Sequence, residues 1–246
     1  MVSNLVIALL LVHSCTFALG RVCTAPSVNL EGCVTVDYTN QAIGDAGALA
    51  LAQSLASGSG SETVATLILY KCGIGPVGAA ALAEAVRAHP RVTAVNLNSN
   101  AIEDAGVASV AAVLAHSASL LHLELDTCGV TDAGATRLAM GLVEIGDGGA
   151  LLTLDLGGNV IGDSGATALA GALRANHVLR KLELGGNHIG DAGAKALAGS
   201  LTSHNQGLTH LGLSYNSRIS AATMKHVEHG LAVRSRHAAS WGKSEL

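Results

Sequence analysis

Leu154–Leu173 reads LDLGGNVIGDSGATALAGAL and Leu182–Leu201 reads LELGGNHIGDAGAKALAGSL. The two stretches match slot for slot, and the pattern L-x-L-x-x-N-x-I-G-D-x-G-A-x-x-L-A-x-x-L continues from them in both directions. Anchored on the aliphatic residue after the Asn slot, it recurs at Ile43, Ile74, Ile102, Val130, Ile161, Ile189 and Ile219, with spacings of 31, 28, 28, 31, 28 and 30 residues. A fixed period in this range marks a solenoid, whose units bury their apolar faces only against their neighbours.

The slots define the unit. Eight residues after the anchor stand Leu51, Leu82, Val110, Leu138, Leu169, Leu197 and Val227; twelve after it stand Leu55, Val86, Leu114, Leu142, Leu173, Leu201 and Leu231. Positions four apart share one face of a helix. Seven and five residues before the anchor, pairs such as Leu123/Leu125 alternate as in a strand with one face inward. Each unit is therefore a short strand, a turn and a helix. Asp45, Asp104, Asp132, Asp163 and Asp191 stand where the helix begins, and each is expected to N-cap its own helix. Gly47, Gly78, Gly106, Gly134, Gly165 and Gly193 leave room for close backbone approach. The Asn slot holds Gln41, Cys72, Asn100, Cys128, Asn159, Asn187 and Asn216, and is expected to bond the turn of the next repeat as a buried ladder.

These residues resemble the leucine-rich repeats of the ribonuclease-inhibitor type, with long helical units and an Asn-or-Cys slot, over about Val34 to Leu231. The resemblance implies an α/β fold, a curved leucine-rich-repeat solenoid of about seven repeats, with parallel strands on the concave face and helices on the convex face. It also implies macromolecular binding through the concave face. The family includes the ribonuclease inhibitor, the activator of the Ran GTPase and the sensor halves of nucleotide-binding receptors. A longer rhythm of 87 residues links Ile43 to Val130, Ile74 to Ile161 and Ile102 to Ile189, as a duplication of three repeats would produce.

The expected organisation is a signal peptide over 1–20, an N-terminal cap over 21–33, the solenoid over 34–231 and a tail over 232–246. Leu5–Val12 (LVIALLLV) is an apolar run of signal-peptide length, too short to span a bilayer, and Ala18-Leu19-Gly20 supplies small residues for cleavage before Arg21. Cys23 and Cys33 flank the cap, and a disulfide between them suits an exported protein. Cys72 and Cys128 share a slot two repeats apart, about 10 Å at the strand spacing, too far to bridge. The last four residues, Lys243–Leu246 (KSEL), are close to an endoplasmic-reticulum retrieval signal, with Ser where an acid belongs. The expected location is the extracellular space or the endoplasmic-reticulum lumen, or the cytoplasm if 1–20 is not a signal.

Charged residues are 13% of the chain and the net charge is −4, which argues against nucleic acid as partner. The charge is uneven: up to Ser217 there are 9 basic and 16 acidic residues, from Arg218 onward 5 basic and 2 acidic. Apparent enzyme motifs dissolve. Gly73-Ile-Gly-Pro-Val-Gly78 has the spacing of a dinucleotide-binding turn, but the same place in other repeats is an ordinary turn. No G-x-x-x-x-G-K-[ST] occurs, and no repeat departs from the pattern to present a nucleophile and base. His226 and His229 share a helix face but read as solvated. No catalytic residue, cofactor or metal is expected.

The informative surface is the inner one. Six before the anchor it reads Asp37, Ile68, Asn96, Glu124, Asp155, Glu183; eight before, Thr35, Thr66, Ala94, His122, Thr153, Lys181; four before, Thr39, Tyr70, Asn98, Asp126, Gly157, Gly185. The last repeat adds His210. The expected partner-binding set is Asp37, Tyr70, Asn96, Asn98, His122, Glu124, Asp126, Asp155, Lys181, Glu183 and His210. Carboxylates on adjacent strands repel, so the expected function is non-enzymatic recognition of another protein, a basic one, by an acidic concave face; a merely soluble inner face is the competing reading. The functional alternatives are an intracellular regulator or sensor of the GTPase-activating or immune-receptor kind, or a self-assembling structural protein, for which the uncharged Val107–Leu114 is the clue.

Overall fold

The computed structural model of the chain describes residues 21–24, 29–58, 61–114, 117–203, 205 and 207–241. Eight strands, β1 (Arg21–Thr24), β2 (Cys33–Asp37), β3 (Thr66–Ile68), β4 (Ala94–Asn96), β5 (His122–Glu124), β6 (Thr153–Asp155), β7 (Lys181–Glu183) and β8 (His210–Gly212), lie in chain order in one parallel sheet. Helices α1 (Gly44–Ala56), α2 (Pro76–Ala88), α3 (Glu103–Leu114), α4 (Asp132–Ile145), α5 (Asp163–Leu173), α6 (Asp191–Ser203) and α7 (Ala221–Trp241) follow β2 to β8 in turn, each packed on the next. The chain is a curved α/β solenoid.

The core sits between the layers. Leu123 and Leu125 from the strand side and Leu138 and Leu142 from the helix side are at most 1% exposed, and the same slots are buried in neighbouring repeats. The uncharged stretch Val107–Leu114 is turned largely inward: Val107, Val110, Ala111, Val113 and Leu114 are buried, which removes the apolar outer patch suggested for self-assembly. Cys72 and Cys128 are free and buried. Burial pushes their thiols up to about 11 and about 12 respectively.

The described ends carry more secondary structure than the cap and tail expected from the sequence. The cap contributes a strand, since β1 pairs in parallel with β2. The sulfurs of Cys23 and Cys33 lie at bonding distance, with Cα atoms 5.8 Å apart. At the other end α7 runs past residue 231 to Trp241. Residues 1–20, read as a signal peptide, and the last five, 242–246, lie outside the described residues.

The turn ladder runs in the opposite direction to the one expected. Asn159 reaches back to the preceding repeat: its Oδ1 accepts from Cys128 N–H (2.9 Å) and Val130 N–H (3.0 Å), and its Nδ2 donates to Leu125 O (2.8 Å). Asn100 does the same with Cys72, Ile74 and Leu69. Cys128 donates backward through Sγ to Leu97 O (3.2 Å), but a thiol lacks the amide carbonyl that accepts from the anchor N–H. Ile102 N–H therefore folds onto its own Asn100 O (2.9 Å), as Ile43 N–H, ahead of Cys72, folds onto Gln41 O (2.7 Å).

The aspartates likewise cap the following helix instead of their own. Asp45 Oδ1 accepts from Gly75 N–H (2.7 Å) and Gly78 N–H (2.9 Å), the N-cap and third residues at the start of α2. Asp132 serves Gly162 and Gly165 at α5 in the same way, and Asp163 serves Gly190 and Gly193 at α6. This explains the helix glycine: a Cβ on Gly78 would stand 2.6 Å from Asp45 Oδ1 and 2.8 Å from Ala48 Cβ. It also disposes of the G-x-G-x-x-G turn, because two amides that would face a phosphate are already held by Asp45. A second ladder, absent from the sequence reading, joins the helix exits: Asn205 Nδ2 donates to Leu173 O (2.7 Å) and Asn176 O (2.6 Å), and Asn176 Nδ2 to Leu142 O (3.2 Å).

Candidate functional site: the concave face

Parallel pairing in unbroken register turns the three columns read from the sequence into rows across the sheet. Asp37, Ile68, Asn96, Glu124, Asp155, Glu183 and Gly212 stand opposite one another on successive strands, as do Thr35, Thr66, Ala94, His122, Thr153, Lys181 and His210. Adjacent strands lie about 4.8 Å apart, so Glu124, Asp155 and Glu183 form a row of carboxylates at that spacing.

Their surroundings differ. Glu183 is the most neutralised: its Oε1 lies 3.2 Å from Lys181 Nζ and 2.8 Å from His210 Nε2. Glu124 Oε2 accepts from Asn96 Nδ2 (2.5 Å) and Asn98 Nδ2 (2.9 Å), so both asparagines support Glu124. Asn96 is only 9% exposed, and its amide is turned to Glu124. Asp155 Oδ1 accepts from Gly157 N–H (2.9 Å), and Asp37 Oδ1 from Thr39 N–H (2.9 Å). Asp126 Oδ1 accepts from Thr127 Oγ1 (2.7 Å).

Burial pushes the Glu124 carboxyl above its ordinary range. Asp155 and Asp126 reinforce the shift, while Asn98 and Lys181 pull against it. Asp155 is also raised, first by burial, then by Asp126 and Glu183, against the Gly157 hydrogen bond and Lys181. Burial lowers His122 below the usual imidazole value. The carboxylates converge on a gap in the wall. A Cβ on Gly157 would lie 2.6 Å from Asp126 Oδ2 and 3.2 Å from Asp155 Oδ1, so both acids face the space that this glycine leaves open. In the next repeat a Cβ on Gly185 would stand 3.2 Å from Ser214 O.

The structure brings Asn96, Asn98, Glu124, Asp126, Asp155, Lys181, Glu183 and His210 into one connected patch, with His122 beside it. Asp37 and Tyr70 stand apart toward the N-terminal end. Tyr70 lines a depression at the strand exits with Lys71, Ser99, Glu103, Thr127 and Gly129. Apart from Tyr70, these residues were absent from the sequence-derived set. For Lys71, Ser99 and Thr127 the signal was the column just before the Asn slot, Asn40, Lys71, Ser99, Thr127, Gly158, Gly186 and Tyr215, all with positive φ between 53° and 67°. That conformation carries them to the rim, where Tyr215 is 92% exposed.

Comparison with known proteins agrees with this geometry. The Leucine Rich repeat family profile matches residues 90–111, 116–139, 150–170 and 175–198. The chain is 35% identical over 136 residues to the Ribonuclease inhibitor of Sus scrofa, covering 55% of this chain and 29% of that protein. It is 30% identical over 182 residues to the NACHT, LRR and PYD domains-containing protein 14 of Homo sapiens, covering 74% of this chain and 16% of that protein. The matched segment thus spans less than a third of the length of these relatives. Among solved structures, Leiomodin-1 Actin-Binding Site 2 aligns with TM-score 0.58 at 23% identity, over 66% of this chain and 92% of that one. The tropomodulin C-terminal domain of Caenorhabditis elegans aligns with TM-score 0.54 at 14% identity, over 66% and 96%. At those identities the likeness is one of fold. The repeats and these relatives together identify the chain as a leucine-rich-repeat protein of the ribonuclease-inhibitor type.

Proposed function

We propose that the chain is a non-enzymatic protein-binding module of the secretory pathway or extracellular space, and that it takes a basic partner on its concave face. The observation that carries this reading is the placement of Glu124 and Asp155. Both are partly buried beside like charges, and both are harder to ionise than ordinary carboxylates. Their charge opposes folding, and an uncharged amide could accept the same hydrogen bonds from Asn96, Asn98 and Gly157. A cationic partner gives such charges a use. Among the described residues, no lysine or arginine forms an ion pair with Asp126 or Asp155. What supports the secretory setting is Leu5–Val12 followed by Ala18-Leu19-Gly20, together with Cys23 and Cys33 placed to form a disulfide.

The test is capture of a lysine-rich peptide by the protein and by a variant carrying Asp126→Lys and Asp155→Lys. Binding is expected to fall at least tenfold, to weaken with salt, and to be unaffected by Arg137→Glu on the outer helix α4. Equal binding by both concave states sinks the reading. Intact-mass analysis of native protein tests the setting: a chain beginning at Arg21 with Cys23 and Cys33 oxidised is expected. A cytosolic chain that retains 1–20 would favour the intracellular regulator or sensor, with the same surface as its binding face.

A further inference from the structure

We infer that the concave face accepts a second copy of this chain, the occupant being the basic C-terminal segment from Arg218 onward. The inference rests on the reading of the concave face as a binding surface, and it names the partner.

Three observations lead to it. The first is charge. The chain up to Ser217 carries 9 basic and 16 acidic residues, while the remainder carries 5 basic and 2 acidic. The acidic part contains the Glu124–Asp126–Asp155 patch. The basic part begins at exposed Arg218 and continues along α7 with exposed Lys225, His226 and His229, then Arg234 and Arg236 in sequence. Surfaces of opposite sign steer such an encounter.

The second is size. α7 has 21 residues, against 11 to 14 in the other helices. At 1.5 Å per residue it is about 31 Å long. The sheet has eight strands, and at about 4.8 Å per spacing it is roughly 34 Å from edge to edge. A helix of that length laid across the strands passes all the concave acids.

The third is topology, which makes the contact intermolecular. α7 belongs to the convex row and packs on α6, so the sheet of its own molecule lies between it and the concave side. The face of one copy must receive the end of another. Such a contact is heterologous: unlike surfaces meet, and the assembly either closes as a ring or continues as a chain.

Sedimentation analysis of the full chain in low salt tests this. At concentrations on the order of 100 μM, a weight-average mass at least twice the 24.6 kDa of one chain is expected, returning to one chain in about 0.5 M salt. Asp126→Lys with Asp155→Lys, or Lys225→Glu with Arg234→Glu and Arg236→Glu, should each give monomer. An equimolar mixture of the two variants should associate again, because each supplies a surface complementary to the other. Wild-type protein that stays monomeric in low salt overturns the inference, as does association that survives either set of reversals. The salt arm uses only wild type and stands even if a variant fails to fold. A monomer that still captures the lysine-rich peptide through Asp126 and Asp155 removes this inference and leaves the concave-face reading intact; loss of both removes both.

Discussion

Asp132 Oδ1 lies 2.9 Å from the backbone N–H of Gly165, a residue in the first turn of the next repeat's helix. The same oxygen accepts from Gly162 N–H at 2.7 Å. The cap is thus a bond between repeats, and it contributes to the nearest-neighbour coupling that holds a solenoid together. Charge-assisted acceptance by a carboxylate at a helix start also complements the helix dipole.

Asp132 and Gly165 should therefore be energetically coupled. Asp132→Ala removes two hydrogen bonds at the start of α5 and should cost about 1–2 kcal/mol. Gly165→Ala places a Cβ 2.7 Å from Asp132 Oδ1 and 2.8 Å from Ile161 Cγ2, an overpacking worth about 1–3 kcal/mol. In the double variant the carboxylate clash is gone while the Ile161 contact remains. Denaturant melts of the four proteins should show the double variant more stable than the sum of the singles implies, by about 1 kcal/mol. Simple additivity would count against the cap between repeats.

A second consequence appears where the preceding aspartate is missing. Pro76 occupies the Asp slot of the repeat before α3. There Glu103 takes φ +56° and donates its N–H forward to Cys128 O (2.9 Å). Gly44, which has no preceding repeat of this pattern, takes φ +59° and donates to Cys72 O (3.0 Å). With the cap present, the same slot is extended, as in Thr131 at φ −103°. Glu103→Gly should therefore stabilise the protein by about 0.5–1 kcal/mol, since the left-handed region favours glycine. Thr131→Gly should destabilise it, because Thr131 Oγ1 donates to Asp104 Oδ2 (2.6 Å) and accepts from Ala133 N–H (3.2 Å). A chemical-denaturation comparison that reverses this order would reject the two-state turn.

The repeat pattern made the rows of the sheet legible and concealed the direction of the ladders, for one reason. Alternation of Leu123 and Leu125 fixes which side chains face the concave surface, so Glu124, Asp155 and Glu183 align from the sequence alone. In a near-perfect repeat, however, Asp132 and Asp163 occupy the same slot, so a bond within one unit and a bond to the neighbour leave the same mark on the pattern. Only the irregular units break the tie, Pro76 with Glu103 above all. β1 carries no paired leucines, so nothing in its alternation marked it as a strand. The partners of Glu124 and Glu183 follow from side-chain reach across strands, which the columns place side by side without saying which atoms meet.

Thiol reactivity tests the slot that Cys72 and Cys128 share. Both are buried with thiols pushed up, and each donates a hydrogen bond to the preceding repeat. In folded protein at pH 8 both should label only as fast as the structure opens, since the thiolate is the reactive form. Labelling should accelerate sharply above the unfolding midpoint of a denaturant series. Rapid labelling of Cys128 under native conditions would show that the slot is open to solvent, contrary to the ladder.

Glu124 gives the pH dependence of the acidic patch. Its folded-state pKa is raised, chiefly by burial and by Asp155, so in the window between the unfolded and folded values the native protein binds more protons than the unfolded chain. Stability linked to this group is therefore highest below the unfolded carboxylate pKa and falls as pH rises through the folded one. Glu124→Gln keeps an oxygen to accept from Asn96 and Asn98 while removing the charge. It should raise the melting temperature at pH 7, and the advantage should disappear on acidification to about pH 4, where the wild-type group is itself protonated. The same titration should weaken capture of a lysine-rich peptide as pH falls, because Glu124 and Asp155, whose carboxyls are both raised, lose their charge. Melting curves and peptide binding measured from pH 7.5 down to pH 4 check both. A Gln variant less stable than wild type at pH 7 would mean that the Glu124 charge supports the fold, and the concave acids would then need no partner to explain them.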